Sequence, residues 1–158
     1  MKNILITAGP TNEYIDEVMK ITNMSTGRLG IELTKKYLEN GDGVTLIATR
    51  SVFRSGLFEK HKLQDNPNLK GIPIETTEDM FKALENESKN KYNLVIHSSA
   101  VGDYKPEFSF KMEDLADELA IAIHNGKTTK EEILNILTNP NCKVNDDTKI
   151  SSYEPNLT

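Results

Sequence analysis

The segment NMSTGRLG, residues 23–30, places an amide, two hydroxyls and two glycines just ahead of a helical pattern. The backbone N–H groups of a helix's first turn have no partners within the helix, and the helix dipole adds partial positive charge there. Gly27 would let an anion approach the backbone, and Ser25 and Thr26 offer hydroxyl groups. The segment therefore suits a phosphate, while the commoner alternative is that Ser25 or Thr26 only caps the helix.

Two further segments could do chemistry. In SSAVGDYKP, residues 98–106, small residues follow a strand, and Asp103 could hold a ribose hydroxyl or a metal, although Gly102 and Asp103 would also make a simple turn. Lys149 stands in a polar segment, where a mobile lysine can close over a triphosphate. A solvated surface lysine is the usual alternative. No P-loop and no G-x-S-x-G motif is found in the sequence.

Alternating strand and helix patterns must position these residues. Runs that are apolar on both faces predict buried strands at residues 3–8 and 43–48. A further strand is expected at 92–98, and Pro73 marks 71–76 as an edge strand. A four-residue apolar spacing predicts a helix over 28–40 that Gly41 ends, and capping boxes begin helices at Thr76 and Thr129. The stretches up to about residue 26 and from 50 to 70 are expected to be loops.

This order predicts an α/β fold, a doubly wound, Rossmann-like and mostly parallel sheet with helices on both faces. We expect one nucleotide-binding domain over residues 1–158, incomplete at its C-terminus. Ligands bind beyond the carboxyl ends of such strands, here residues 7–11, 48–51 and 98–106.

Composition excludes several classes of protein. The chain has 158 residues and a net charge of −5, so no basic surface for nucleic acid is expected. No stretch approaches the roughly 20 apolar residues of a membrane helix. Cys142 is the single cysteine, which rules out an internal disulfide and fits a cytoplasmic protein.

An NAD(P)-dependent oxidoreductase is the weaker alternative. TGRLGIEL is similar to the T-G-x-x-x-G-I stretch of short-chain dehydrogenases. In a dinucleotide fold, however, the glycines follow the first strand at once, whereas about fifteen residues intervene here. The second strand ends in ATR with no acidic residue for a ribose, and no Tyr is followed four residues later by Lys.

Taken together, the segments ILITAGPTNEYIDEV, ITNMSTGRLG, VTLIATR, HSSAVGDYKP and KISS resemble, in this order, the phosphopantothenate–cysteine ligases. These enzymes, also called phosphopantothenoylcysteine synthetases, belong to the DNA/pantothenate metabolism flavoprotein group. The chain looks most like the stand-alone bacterial form, which is not fused to a decarboxylase. Nothing in it is similar to the flavin-binding half, so no FMN is expected.

The resemblance implies a two-step reaction in coenzyme A biosynthesis. The carboxylate of 4′-phosphopantothenate attacks the α-phosphate of CTP, diphosphate leaves, and cysteine's amine displaces CMP from the acyl-cytidylate to form an amide. Mg²⁺ would help to neutralise the triphosphate. The resemblance also implies a homodimer, with small molecules as its other partners.

The resemblance also assigns residues. Asn23 would stabilise charge on the acyl oxygen through its amide, and Lys149 would close on the triphosphate, so these two are the catalytic candidates. Asp103 would lie near the ribose or a metal. The remaining residues expected to line the substrate and nucleotide site are Gly9, Thr11, Ser25, Thr26, Gly27 and Ala100.

The sequence departs from the family pattern in three respects. Ser151 and Ser152 replace further lysines beside Lys149, and Met24 stands where His is frequent. Members of the family are also appreciably longer. A fragment that binds nucleotide or phosphate without turnover is therefore a second hypothesis, and the preference for CTP over ATP stays open.

Overall fold

A computed structural model describes residues 1–15, 18–108 and 110–143. A four-stranded parallel sheet has the order β5-β4-β1-β6. Its strands are β1 (Asn3–Pro10), β4 (Gly43–Thr49), β5 (Leu69–Ile74) and β6 (Leu94–Ala100). The strands β2 (Asn12–Tyr14) and β3 (Lys20–Thr22) form a separate pair.

One face of the sheet is covered by α1 (Arg28–Glu39). Ile31 and Leu38 of this helix pack with Ile4, Ile6 and Leu46 in the larger core cluster. The helix lies close to β1 at Gly30, where an added Cβ would lie 2.3 Å from the Cβ of Ala8. The helix ends as the sequence predicted, because Gly41 follows it with φ +80° and donates to the carbonyl of Leu38.

The opposite face is covered by α4 (Thr77–Glu87), where Met80 packs with Leu5, Ile47 and Ile74. Thr76 and Asp79 form the predicted capping box. The backbone N–H of Thr76 donates a hydrogen bond to the Asp79 carboxylate. This hydrogen bond is the main reason that the pKa of Asp79 lies below its usual value. Helices therefore lie on both faces of a parallel sheet, which confirms the predicted fold class.

Two stretches expected to be loops contain regular structure. Residues 50–65 form α2 (Arg50–Phe53), α3 (Gly56–Lys60) and a 3-10 turn (Leu63–Asp65). Val52, Phe58 and Leu63 from these pieces are buried in the core beside α1. The stretch between β1 and α1 includes β2 and β3. These elements span three to five residues, too short to produce a periodic sequence pattern.

The chain divides into two compact units, one of Met1–Glu13 with Lys20–Lys105, the other of Tyr14–Met19 with residues from Pro106 onward. The second unit contains α5 (Met112–His124) and α6 (Lys130–Thr138), which pack against each other. The predicted capping box of Thr129 and Glu132 begins α6. The expectation of a single domain over 1–158 stays a prediction. No helix in the described residues is long and apolar enough to cross a bilayer.

Candidate functional site

The carboxyl ends of β1 and β6 lie side by side and bring distant site candidates together. Gly9 pairs with Ser99 and Pro10 with Ala100 in the parallel register. The backbone N–H of Thr11 donates to the carbonyl of Ala100 over 3.2 Å. Two of the segments singled out in the sequence therefore meet at one edge of the sheet, inside the first unit.

Asn23 bridges to this edge from the loop ahead of α1. Its Nδ2 donates to the carbonyls of Ala100 and Val101, each at 3.1 Å. Both amide hydrogens are thus directed at backbone oxygens, whereas the acyl oxygen was the partner expected from the sequence. Within the described part of the chain, the Asn23 Oδ1 accepts no hydrogen bond, and the residue is exposed.

Thr11 is fully buried and joins several segments. Its Oγ1 accepts from the backbone N–H of Gly102 over 2.8 Å and shares a 3.0 Å hydrogen bond with the hydroxyl of Thr77. Its carbonyl accepts from the Thr22 hydroxyl over 3.1 Å. With its hydroxyl engaged in this way, Thr11 positions the turn after β6.

Gly9 and Gly27 face the same side chain, Val52. An added Cβ would lie 2.4 Å from Val52 Cγ2 at Gly9 and 2.7 Å from it at Gly27. Both glycines have positive φ, +80° and +71°, so their conformations also favour glycine. Because neither glycine has a side chain, Val52 can pack against both of them and the two backbone segments can lie close together.

The start of α1 has no side-chain cap. Gly27 is the N-cap in a left-handed conformation, and the first turn has no acidic residue. Ser25 Oγ lies 3.5 Å from the Gly27 N–H, at the limit of a hydrogen bond, and Thr26 is exposed. Neither hydroxyl serves as the helix cap, so the capping alternative does not describe this helix.

Ala100 and Asp103 lie at and just beyond the end of β6, and Asp103 is exposed. Sequence reasoning missed their neighbour Ser99, whose hydroxyl is buried and has no hydrogen-bond partner within the described residues. A buried hydroxyl without a partner costs about 1–3 kcal/mol, so a ligand atom or a water here would be stabilising. The signal available in the sequence was the doublet of serines before Ala100.

Sequence reasoning also missed a buried polar group after β1. Asn12 is 2% exposed, and its Nδ2 donates to Glu75 Oε2 over 2.7 Å. Glu13 is 9% exposed and accepts the N–H of Thr77, the first residue of α4, over 2.9 Å. A carboxylate at a helix N-terminus is favoured by the helix dipole. Consecutive polar residues after Gly9-Pro10 were the available signal.

Three other candidates need separate mention. His97 Nδ1 makes a 2.8 Å hydrogen bond with the Thr7 hydroxyl. This contact gives the His97 ring a structural role between β1 and β6. Lys149 lies outside the described residues, and so do Ser151 and Ser152. Over residues 1–15, 18–108 and 110–143, no three His, Cys, Asp or Glu side chains are grouped as metal ligands.

Comparison with known proteins points in one direction. The profile of the DNA/pantothenate metabolism flavoprotein C-terminal domain matches residues 1–139. Among curated proteins, the coenzyme A biosynthesis bifunctional protein CoaBC of Thermococcus kodakarensis is 37% identical over 105 residues, 66% of this chain and 23% of that protein. CoaBC of Escherichia coli K12 is 35% identical over 124 residues, 75% of this chain and 28% of the relative.

Solved structures agree. The DNA/pantothenate metabolism flavoprotein from Streptococcus pneumoniae superposes with a TM-score of 0.60 at 30% identity, covering 85% of this chain and 51% of the other. The CoaBC C-terminal domain gives a TM-score of 0.54 at 31% identity, covering 67% and 48%. The chain thus spans about half the length of these structural relatives and about a quarter of the curated ones.

Proposed function

The chain belongs to the DNA/pantothenate metabolism flavoprotein C-terminal domain family, and on this premise we propose that it joins 4′-phosphopantothenate to cysteine. The proposed reaction uses CTP and passes through an acyl-cytidylate, with Mg²⁺ entering on the triphosphate. The ion would neutralise charge on the phosphate oxygens. The relatives are coenzyme A biosynthesis proteins by name, which supports a ligase in that pathway.

The observation that most supports this proposal is the meeting of Asn23 with the end of β6. The two 3.1 Å hydrogen bonds join residues separated by 77 and 78 positions. They set the loop ahead of α1 against the strand end where the nucleotide is proposed to bind. Phosphates and an acyl group held at this edge would be close together, and positioning of this kind is a main source of catalysis in group transfer.

The uncapped start of α1 is the proposed phosphate site. Its N–H groups are not taken by a side-chain cap, and the left-handed Gly27 fixes the backbone there. Ser25 and Thr26 lie beside it with hydroxyls that can donate to phosphate oxygens. Ser99, with its buried hydroxyl, is added to the proposed site as a donor to the ligand.

Asn23 receives a two-part role in this proposal. In the free protein its amide hydrogens hold the carbonyls of Ala100 and Val101. To stabilise an acyl oxygen, one of these hydrogens must leave its carbonyl when substrate enters. Asn23→Asp removes both donors and places a carboxylate against two carbonyl oxygens, so it should disturb the strand end as well as amide formation.

The decisive assay supplies 4′-phosphopantothenate, CTP, Mg²⁺ and cysteine, and follows CMP and the amide product. Formation of both supports the ligase, and replacing CTP by ATP tests the nucleotide preference. Asn23→Asp should lower the rate at least tenfold. The matched control Asn86→Asp, on the exposed side of α4, should leave it unchanged. A chain that gives no CMP but is stabilised against heat by CTP would support the second hypothesis, nucleotide binding without turnover.

The oxidoreductase alternative receives little support from the fold. Residues 11–27 separate β1 from α1, and they include β2 and β3. The glycine-containing segment therefore does not make the tight strand-to-helix turn of a dinucleotide fold. Stabilisation by NADPH and not by CTP would nevertheless overturn the ligase proposal.

The proposal includes a homodimer, as the family resemblance implied, and no FMN. Sedimentation analysis at several protein concentrations tests the dimer, and a monomer at every concentration would refute it. Purified protein should show no visible absorbance from bound flavin.

A further inference from the structure

A concave surface apart from the proposed ligase site lies against the edge strand β5. It has a volume of about 240 Å³. The ligase proposal uses none of its residues. The residues that line it, here called the arginine groove, are Arg50, Phe53, Arg54, Gly71 and Pro73. We infer that the arginine groove binds a phosphate monoester that carries one planar ring.

The charge of the groove comes from two arginines one helical turn apart. Arg50 and Arg54, four positions apart at the two ends of α2, both line the groove. Arg50 NH1 lies 3.9 Å from Glu75 Oε1, so the pair is loose, and 63% of the Arg50 side chain is exposed. Arg54 is exposed and has no ion-pair partner among the described residues. Two guanidinium groups match the fork geometry by which arginine binds phosphate oxygens.

The remaining lining residues form an apolar surface. The Phe53 ring lies against Gly71, where an added Cβ would be 3.1 Å from Phe53 Cε1. Phe58 contacts the same ring edge-on with centroids 5.3 Å apart, which holds it in place. A planar ring could therefore lie beside Phe53. The volume is below the roughly 300–1,000 Å³ of drug-sized sites, so it suits one ring with one phosphate.

A polypeptide strand is a poorer occupant. The groove follows β5, which is an edge strand and could in principle pair with another chain. Pro73 is one of the residues that line the groove, and it has no N–H to donate to such a strand. The paired positive charges, in a chain whose net charge is −5, also favour an anion.

The test titrates the protein with phenyl phosphate, inorganic phosphate and phenol while backbone amides are followed by NMR. Phenyl phosphate should shift Gly71 and Ile72 and bind at least tenfold more tightly than either fragment. Arg50→Gln with Arg54→Gln should weaken phenyl phosphate at least tenfold. The matched control Lys82→Gln with Lys89→Gln, which removes the same charge from α4 and from the residue after its C-cap, should bind as the parent does. Phe53→Leu should reduce the preference for phenyl phosphate over inorganic phosphate.

Equal binding by the arginine variant and its control would overturn the inference, and so would shifts confined to residues 23–27. Equal affinity for phenyl phosphate and inorganic phosphate would refute the ring subsite. If the double variant does not fold, Arg54→Gln alone gives the same comparison, because Arg54 makes no ion pair in the described structure. The result does not depend on the ligase, since it is measured with no CTP, cysteine or phosphopantothenate present.

Discussion

Val52 is the side chain against which two glycines of the proposed site pack, and Gly27→Ala tests that contact. The new Cβ would lie 2.7 Å from Val52 Cγ2 and 3.0 Å from Cγ1, with the Gly27 φ at +71°. A left-handed non-glycine residue costs about 1–2 kcal/mol, and overpacking a well-packed site costs about 1–3 kcal/mol. Gly27→Ala should therefore lower the free energy of unfolding by about 2–5 kcal/mol.

Gly41→Ala separates the two contributions. Gly41 has φ +80°, but nothing lies within 4 Å of an added Cβ there. Gly41→Ala should therefore lower the free energy of unfolding only by the conformational contribution, about 1–2 kcal/mol. Urea unfolding followed by circular dichroism measures each variant, and a shift in midpoint with unchanged slope reports stability.

Val52→Ala supplies the second half of a double-mutant cycle. Alone it should destabilise the protein by about 1–3 kcal/mol, because it removes buried methyl groups. In the Gly27→Ala background it should cost less or restore stability, with a coupling energy of about 1–3 kcal/mol. Additive effects of the two substitutions, or equal losses for Gly27→Ala and Gly41→Ala, would show that Val52 does not restrict residue 27.

Three further predictions concern single contacts. Thr11→Val keeps the shape of the side chain but leaves the Gly102 N–H without its 2.8 Å acceptor. The free energy of unfolding measured in urea should therefore fall by about 1–3 kcal/mol, and hydrogen exchange at the Gly102 amide should become faster. An unchanged exchange rate at Gly102 would contradict this. Gly30→Ala, with its Cβ 2.3 Å from Ala8, should cost about 1–3 kcal/mol despite alanine's higher helix propensity, and a gain in stability would refute the close approach of α1 to β1. Hydrogen bonds from the Lys70 ammonium and, to a smaller extent, from the Tyr92 hydroxyl lower the pKa of Glu87 from its usual value of 4.5. The ionised Glu87 carboxylate therefore stabilises the fold above pH 4.5, and this stabilisation is lost as the pH falls through the lower pKa of the folded state. Glu87→Gln should therefore flatten the acid side of the stability–pH curve, whereas Glu85→Gln should not.

The fold was predictable where sequence signals are local and repeated. The apolar runs of β1 and β4, the four-residue spacing of α1 and the capping boxes at Thr76 and Thr129 each appear within a few residues. The pattern of β6 was less informative. Its sequence indicated a strand but not its place in the sheet, and Leu94 and Val95 are 41% and 55% exposed because β6 is an edge strand.

The candidate site was predictable as a set of segments but not as a set of contacts. That the ends of β1 and β6 meet follows from parallel pairing, so Gly9 and Ala100 could be expected near each other. The contact of Val52 with Gly27 joins residues 25 positions apart in sequence, and it depends on how the short helix α2 packs. The burial of Thr11 and the hydrogen bonds of Asn23 likewise depend on tertiary packing, for which sequence periodicity has no signal.

The left-handed turn at Gly27 has a consequence for how a ligand would arrive. Since Val52 and Gly9 already hold that turn, the peptide groups at the mouth of α1 lose their freedom when the chain folds and not when an anion docks. An anion would then meet a prearranged surface, and its association rate should vary with ionic strength more than with any slow rearrangement of the backbone.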